Sequence, residues 1–298
     1  MPQPVNRFLR TRIAPTPSGF LHLGNVLSFA ITAAIARENR AKILLRIDDL
    51  DQARADERYI QDIFDTLNFL NIPWDEGPRD AREFVNSYSQ LHRMGIYKDM
   101  LKQLSNYGLV FACTCSRRQM QGDDQHNSIC NCLKQGIPLS TENASWRLIT
   151  ENDKKLMVKN YNGQVISANL PVEMNNFIVK KKDGFPSYQL ASMVDDLFYG
   201  VGLVVRGEDL WPSTLAQHQL ALAIGRDSFS DIAFYHHQLL TEPAGKKLSK
   251  SEGATSIRYL RENGKTPADI YTLIATMLGI NGTVDSWEQL ISVINIVY

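Results

Sequence analysis

At 298 residues, with 44% hydrophobic and 21% charged side chains, the chain has an ordinary soluble globular composition and length enough for one large domain or two smaller ones. Its formal net charge is zero, so no global basic field announces a nucleic-acid partner, although a local stripe would suffice. No apolar run approaches the roughly 18 residues needed to span a bilayer. The start, MPQPVNRFLRTR, also lacks the apolar core of a signal peptide. The expectation is a cytoplasmic protein with no membrane partner, whose four cysteines bind metal or stay reduced.

Taken in chain order, residues 8–14 (FLRTRIA) read as a first strand. A Pro/Gly loop follows, and then Val26, Phe29, Ala30, Ala33 and Ala34 recur at helical spacing, predicting a helix over about 24–38. Residues 42–48 (KILLRID) form a nearly continuous apolar run, as in a buried parallel strand. Strand, loop, helix and strand make a βαβ unit, which favours an α/β fold with a parallel sheet. Residues 55–70 and 86–106 read as amphipathic helices, after which short strands, cysteines and polar turns replace helical periodicity. The α/β pattern returns with a strand at about 201–206 and a helix at about 212–225. The predicted architecture is a doubly wound parallel sheet built from residues 1–106 and 186–255. An α+β subdomain over 107–185 is inserted into it, and a helical tail over 256–298 ends the chain. Lys180, Lys181 and Lys182 form either a local basic stripe or a solvated hairpin turn.

Two stretches carry chemistry. The first, RTRIAPTPSGFLHLGN, is a glycine-containing loop running into a helix N-terminus, where unpaired N–H groups and the positive dipole end suit a phosphate. His22 can add a hydrogen bond or charge to phosphate oxygens, and Gly24 removes a side chain where a flat ligand would lie on the backbone. Alone, the loop reads equally as a tight turn shaped by Pro15, Pro17 and Gly19. The second, GKKLSKSEG, sets lysines between glycines, as a loop that clamps a triphosphate requires; alone, it reads as a solvated turn.

In this order on an α/β chain, the two resemble the paired signatures of class I aminoacyl-tRNA synthetases. His22-Leu23-Gly24-Asn25 stands for the HIGH motif and Lys247-Leu248-Ser249-Lys250-Ser251 for KMSKS. With RIAPTPSGFLHLGN, RIDDLD, PSYQLASMVDD, VVRGEDL and KLSKS in sequence, the chain resembles the glutamyl-tRNA synthetase group over about residues 10–255. The resemblance implies a Rossmann-type catalytic domain, ATP as substrate with Mg²⁺ accompanying it, L-glutamate, a tRNA, and a monomer. Residues 252–298 are too few for the anticodon-binding domain of the full-length enzymes. The expectation is therefore the truncated branch, which activates glutamate and esterifies the queuosine base of tRNA(Asp). A synthetase core lacking its anticodon domain and a non-catalytic tRNA-binding paralogue are the alternatives.

Cys113, Cys115, Cys130 and Cys132 form two CxC pairs at a spacing suited to tetrahedral zinc. The group's zinc pattern runs CxC, then Tyr, then Cys four residues on. By that pattern the ligands are Cys113, Cys115, His126 and Cys130, with Cys132 as the rival fourth ligand.

The resemblance also assigns roles. Arg12 and Arg206 contact the glutamate side-chain carboxylate, for which the planar guanidinium is apt, and Tyr188 touches the substrate. Ile13, Ala14, Pro15 and Thr16 belong to the same glutamate pocket. Arg206 paired with Glu208 or Asp209 is the structural alternative. Asp48 stands where the group has Glu and meets the α-ammonium; it is one methylene shorter, so a water bridge or backbone shift must compensate. ATP falls to His22, Gly24, Asn25, Lys247, Leu248, Ser249, Lys250 and Ser251. His22, Lys247 and Lys250 stabilise charge developing on the phosphates, in chemistry that needs positioning more than a general base.

Overall fold

The computed structural model describes residues 8–116, 130–151, 153–240 and 256–294. The first strand, β1 (Arg10–Ile13), leads through the Pro/Gly loop into α1 (Leu23–Asn39), and β2 (Lys42–Leu45) follows. Helix α1 starts where His22 stops it: the His22 side chain accepts from the Gly24 N–H, and Asn25 returns a bond to the His22 N–H, a reciprocal cap. It ends at Arg40, whose φ of 53° is left-handed and turns its N–H back to Ala36 and Arg37. α2 (Glu57–Phe69) is capped by Asp56.

The helix predicted over 86–106 is broken. Short helical turns occupy Ala81–Glu83 and Phe84–Tyr88, and regular α-helix, α3, runs only over Met94–Asn106. The break falls at Ser89, whose extended backbone (φ −51°, ψ 141°) starts a 3₁₀ turn over Gln90–Arg93. The physical reason lies in buried carboxylates: Ser89 donates to Asp49 at 2.5 Å and Arg93 donates to Asp195 at 2.9 Å, which pulls both residues off the helical path.

Next come β3 (Val110–Cys113), β4 (Ser145–Leu148), β5 (Leu156–Asn160), β6 (Val165–Ala168) and β7 (Ile178–Lys180). Then follow α4 (Tyr188–Phe198), β8 (Leu203–Gly207), α5 (Trp211–Ala223) and β9 (Ala233–His237). The described tail holds α6 (Ile257–Glu262), α7 (Pro267–Met277) and α8 (Trp287–Val293), as its composition predicts.

The main sheet has the order β2-β1-β8-β9-β5-β6. Its first five strands are parallel and β6 is an antiparallel edge. The sequence-drawn block over 107–185 therefore needs correction: β3, β4 and β7 make a separate antiparallel sheet, but β5 and β6 extend the catalytic sheet. Leu156 and Val158 are buried beside Phe234, and that burial, available only beside β9, recruits the hairpin. Lys180 and Lys181 lie at the end of β7, where Lys180 packs its ammonium 4.3 Å over the Trp146 ring and Lys181 reaches the Leu50 carbonyl at 3.2 Å.

Two apolar cores cover the two faces of the sheet. Ile13, Leu45, Val205 and α1 belong to one; Val204, Phe234, α4 and α5 belong to the other. The alternation of side chains along a strand then places Arg12 and Arg206 on the α4 face, against the direction of Ile13 and Val205. The connection from β1 runs to β2 on one side and that from β8 to β9 on the other, so the order reverses between β1 and β8. A crevice opens there at the carboxyl ends of the strands.

Candidate active site

Two communicating cavities occupy this crevice. The narrower, of about 350 Å³, is lined by Arg12, Ile13, Gly24, Ser28, Arg206 and His237, among others. The broader, of about 830 Å³, includes Thr16, Asp48, Arg54, Tyr59, Lys181 and Ser192 in its wall. Ala14, Pro15, His22, Asn25 and Tyr188 face both. All of the described residues predicted for the glutamate and nucleotide sites thus meet at one place.

Arg12 is 5% exposed; it donates from Nε to Asp196 at 3.3 Å and from Nη1 to the Val205 carbonyl at 3.2 Å. Arg206, 4% exposed, is balanced differently. It donates to Thr214 Oγ1 at 2.6 Å and to Gln217 Oε1 at 3.0 Å, and lies 5.1 Å over the Phe234 ring. The ion pair with Glu208 or Asp209 that the sequence allowed is not formed, and the Arg206 Nε has no hydrogen-bond partner among the described residues. Burial, reinforced by Arg12 and opposed by Tyr188 and Asp196, pulls the Arg206 guanidinium below its ordinary range. The same shell keeps its histidines neutral: burial and Arg206 push His236 down to about 3, and His236 shares a 2.7 Å hydrogen bond with Thr214. A buried cation among neutral partners is a receptor for an anion.

Asp48 is 6% exposed, and its carboxylate is gripped by Arg46 through Nε at 2.7 Å and Nη2 at 3.1 Å. Burial raises the Asp48 carboxyl above its ordinary value, with Arg46 opposing. Arg46 also donates to Asp196 at 2.6 Å and to Ser192 at 3.2 Å. Beneath it Asp195 takes a bidentate bond from Arg93 and one from Tyr97 at 2.7 Å; burial opposes its charge, but Arg93 and Arg46 hold its carboxyl below the usual range.

At the start of α1, the Gly24 N–H donates to His22 Nδ1 at 3.1 Å, so Nδ1 is the acceptor and the ring N–H lies on Nε2. A Cβ on Gly24 would stand 3.0 Å from His22 Cε1, so glycine there gives the imidazole its seat. Ser28 and His237 share a 2.6 Å hydrogen bond in the wall of the narrow cavity, with His237 Nδ1 donating to the Gln238 carbonyl at 2.8 Å.

Lys247, Leu248, Ser249, Lys250 and Ser251 lie outside the described residues. The described residues on either side both border the site: Leu240 lines the narrow cavity, while Ser256 lines the broad one and bridges to His22.

Cys113, Cys115, Cys130 and Cys132 converge with all four Sγ atoms within 4.8 Å of one another. Separations of 3.5 Å (Cys113–Cys130 and Cys115–Cys132) and 3.9 Å (Cys115–Cys130) fit a tetrahedron of thiolates with Zn–S bonds near ~2.3 Å. Burial and the bond to Cys132 push the Cys115 thiol up to about 12. Burial also works against the Cys132 thiolate, but the Thr114 N–H and its thiol neighbours bring Cys132 down to about 7. His126, the fourth ligand by sequence pattern, lies outside the described residues; the rival, Cys132, is the one gathered here.

Sequence reasoning passed over Arg46, Asp196, Thr214 and Gln217. The signal for the first was an arginine inside the apolar run KILLRID, and for the second a pair of aspartates closing an apolar helix in PSYQLASMVDD. Thr214 and Gln217 carried none, since their spacing fits any exposed helix face.

A doubly wound parallel sheet with a crevice at its switch point is the fold of a class I tRNA synthetase catalytic domain. The family described as tRNA synthetases class I (E and Q), catalytic domain, matches residues 8–295, and the chain belongs to it. More particularly, it is 33% identical over 276 residues to the Glutamyl-Q tRNA(Asp) synthetase of Synechococcus sp. (strain CC9605), a match covering 90% of this chain and 83% of that protein. Glutamate--tRNA ligase 2 of Syntrophus aciditrophicus (strain SB) is 29% identical over 300 residues; the match covers 95% of this chain and 60% of that protein. The fold is shared with the glutamate tRNA ligase of Elizabethkingia meningosepticum, whose structure was solved in complex with its amino acid. The TM-score is 0.69 at 22% identity, over 95% of this chain and 64% of that one. No helix among the described residues is long and apolar enough to cross a membrane.

Proposed function

We propose that this chain activates L-glutamate with ATP and transfers the glutamyl group to the queuosine base of tRNA(Asp), acting as a cytoplasmic monomer. The observation that carries the activation step is Arg206, a buried guanidinium whose hydrogen bonds go to the neutral Thr214 and Gln217, opening beside Arg12 into a cavity bounded by the capped start of α1. A side-chain carboxylate supplies the missing counter-charge, and Asp48 accepts from the α-ammonium across the shared wall.

In the first step the substrate α-carboxylate oxygen attacks the ATP α-phosphorus. The bond to the bridging oxygen breaks, and pyrophosphate leaves with that electron pair. His22 donates from Nε2 to the phosphate oxygens on which charge accumulates, assisted by the N–H groups at the start of α1. Lys250, with Lys247, is assigned to the departing phosphates. An Mg²⁺ ion bound with the nucleotide would supply neutralisation of phosphate charge. In the second step an acceptor hydroxyl attacks the adenylate carbonyl carbon, its proton is lost and AMP leaves. Cys113, Cys115, Cys130 and Cys132 would hold a zinc ion, which would brace the β3 end of the small sheet.

The queuosine acceptor is supported by the likeness to the Synechococcus enzyme over most of that protein's length. A glutamyl-tRNA synthetase core is the second reading, favoured by the match to the Syntrophus ligase. ATP–pyrophosphate exchange with glutamate, run with and without tRNA, separates them. Exchange without tRNA is the expected result; strict tRNA dependence supports the second reading, and no exchange with any amino acid leaves a binding module. Charging of tRNA(Asp) that survives periodate oxidation of the queuosine diol would overturn the acceptor.

A further inference from the structure

Asp196 lines neither cavity and is 1% exposed, yet it joins the two ends of the amino-acid pocket. One oxygen, Oδ1, accepts from Arg12 Nε at 3.3 Å and from Arg46 Nη1 at 2.6 Å. Arg46 in turn holds both oxygens of Asp48. The result is a buried row of alternating charge, Arg12–Asp196–Arg46–Asp48, running from the narrow cavity to the broad one.

We propose that Asp196 is a positioning residue that couples recognition of the substrate's side-chain carboxylate at Arg12 to recognition of its α-ammonium at Asp48. The inference rests on the glutamate-activating reading above and deepens it. Alternating charges in a low-dielectric interior respond to one another in sequence. A carboxylate arriving at Arg12 weakens the hold of Arg12 on Asp196. Asp196 then turns more of its charge to Arg46, Arg46 relaxes its grip on Asp48, and Asp48 presents more charge to the α-ammonium. Each end therefore favours the other, and a ligand carrying both groups is selected over one carrying either. The row is held from below: Ser192 takes a bond from Arg46, and Asp195 lies 3.9 Å from the Arg46 Nε while anchored by Arg93. The Asp48 carboxylate thus works as the end of a braced chain, which is how a residue one methylene shorter than the family's can keep its place.

The test measures glutamate and ATP dependence of ATP–pyrophosphate exchange in Asp196→Asn, which keeps the shape and removes the charge. The expected result is a glutamate KM raised about tenfold or more, with the ATP KM within about twofold and kcat changed less than KM. A double-mutant cycle between Arg12→Lys and Asp48→Asn is expected to show coupling of about fivefold or more in the native background and additivity in the Asp196→Asn background. If Asp196→Asn does not fold, Arg46→Lys makes the same break, because an ammonium lacks the planar fork that grips both oxygens of Asp48 while reaching Asp196; it too is expected to raise the glutamate KM and abolish the coupling. An unchanged glutamate KM, or additivity in the native background, overturns the proposal while leaving glutamate activation standing. No glutamate-dependent exchange by the native chain would remove the underlying reading, and the proposal with it.

Discussion

Arg12 and Arg206 face the same cavity from the neighbouring strands β1 and β8, but only Arg12 has a carboxylate partner. Arg12 shares Asp196 with Arg46, whereas Arg206 is held by Thr214 and Gln217, which bring no charge. The difference assigns the anchoring of an anionic side chain to Arg206 and the coupling of the two pocket ends to Arg12.

A buried cation with no carboxylate in hydrogen-bond contact costs stability that a bound anion restores. Arg206→Met is therefore expected to lower kcat/KM for glutamate by about a hundredfold or more and to leave stability unchanged or raised by about 1–3 kcal/mol. Urea unfolding without ligand, beside pyrophosphate exchange, checks both halves; a variant that loses stability and keeps activity contradicts the assignment.

Gly24→Ala tests the His22 seat. The new Cβ would fall 3.0 Å from Cε1 and 3.1 Å from Nδ1, so the imidazole must turn away from the start of α1. Loss of a cap of about 1 kcal/mol is roughly offset by the better helix propensity of alanine. Little change in melting temperature should accompany a kcat lower by about tenfold to a hundredfold. Equal loss of stability and rate would instead point to a disrupted helix.

The cysteine cluster predicts a particular metal stoichiometry. Cys132→Ser is expected to lower bound zinc and melting temperature as much as Cys113→Ser does, because the four Sγ atoms form one compact set. His126→Ala should retain one zinc per chain by atomic absorption. Zinc lost from His126→Ala and kept in Cys132→Ser would transfer the fourth position to the histidine.

His218 predicts a pH effect on stability. Burial and Arg206 push its imidazole from 6.5 to about 4, and its Nε2 has no partner among the described residues. The folded protein keeps the ring neutral while the unfolded chain takes up a proton below pH 6.5. The contribution is therefore complete above pH 6.5 and is lost as pH falls through about 4. His218→Phe preserves packing against Phe229 and Phe234, at 5.0 and 5.3 Å between ring centres. Between pH 7 and 5 the native protein should lose about 2 kcal/mol more than this variant in urea unfolding; parallel losses would contradict the neutral, buried ring.

Much of this was legible in one dimension. The run KILLRID announced a buried strand because its apolar residues are nearly continuous, and RIAPTPSGFLHLGN announced a helix start because proline and glycine act locally. Helix 86–106 was misread because its periodicity is real, but the pull of Asp49 on Ser89 and of Asp195 on Arg93 comes from residues distant in sequence. The hairpin β5–β6 was assigned to the inserted block for the same reason: its partner, β9, lies far along the chain.

By itself, the sequence determined the α/β class, the buried strand KILLRID and a helix opening near residue 24 behind the Pro/Gly loop that carries His22. Each of these follows from short-range pattern or from a motif whose chemistry is local. Only the tertiary structure decided which arginine has no carboxylate in contact, that one oxygen of Asp196 serves two guanidinium groups, and that Cys132 joins the other three thiols. Those properties depend on which charges share a buried volume, and in a low-dielectric interior that is set by how the strands and helices pack.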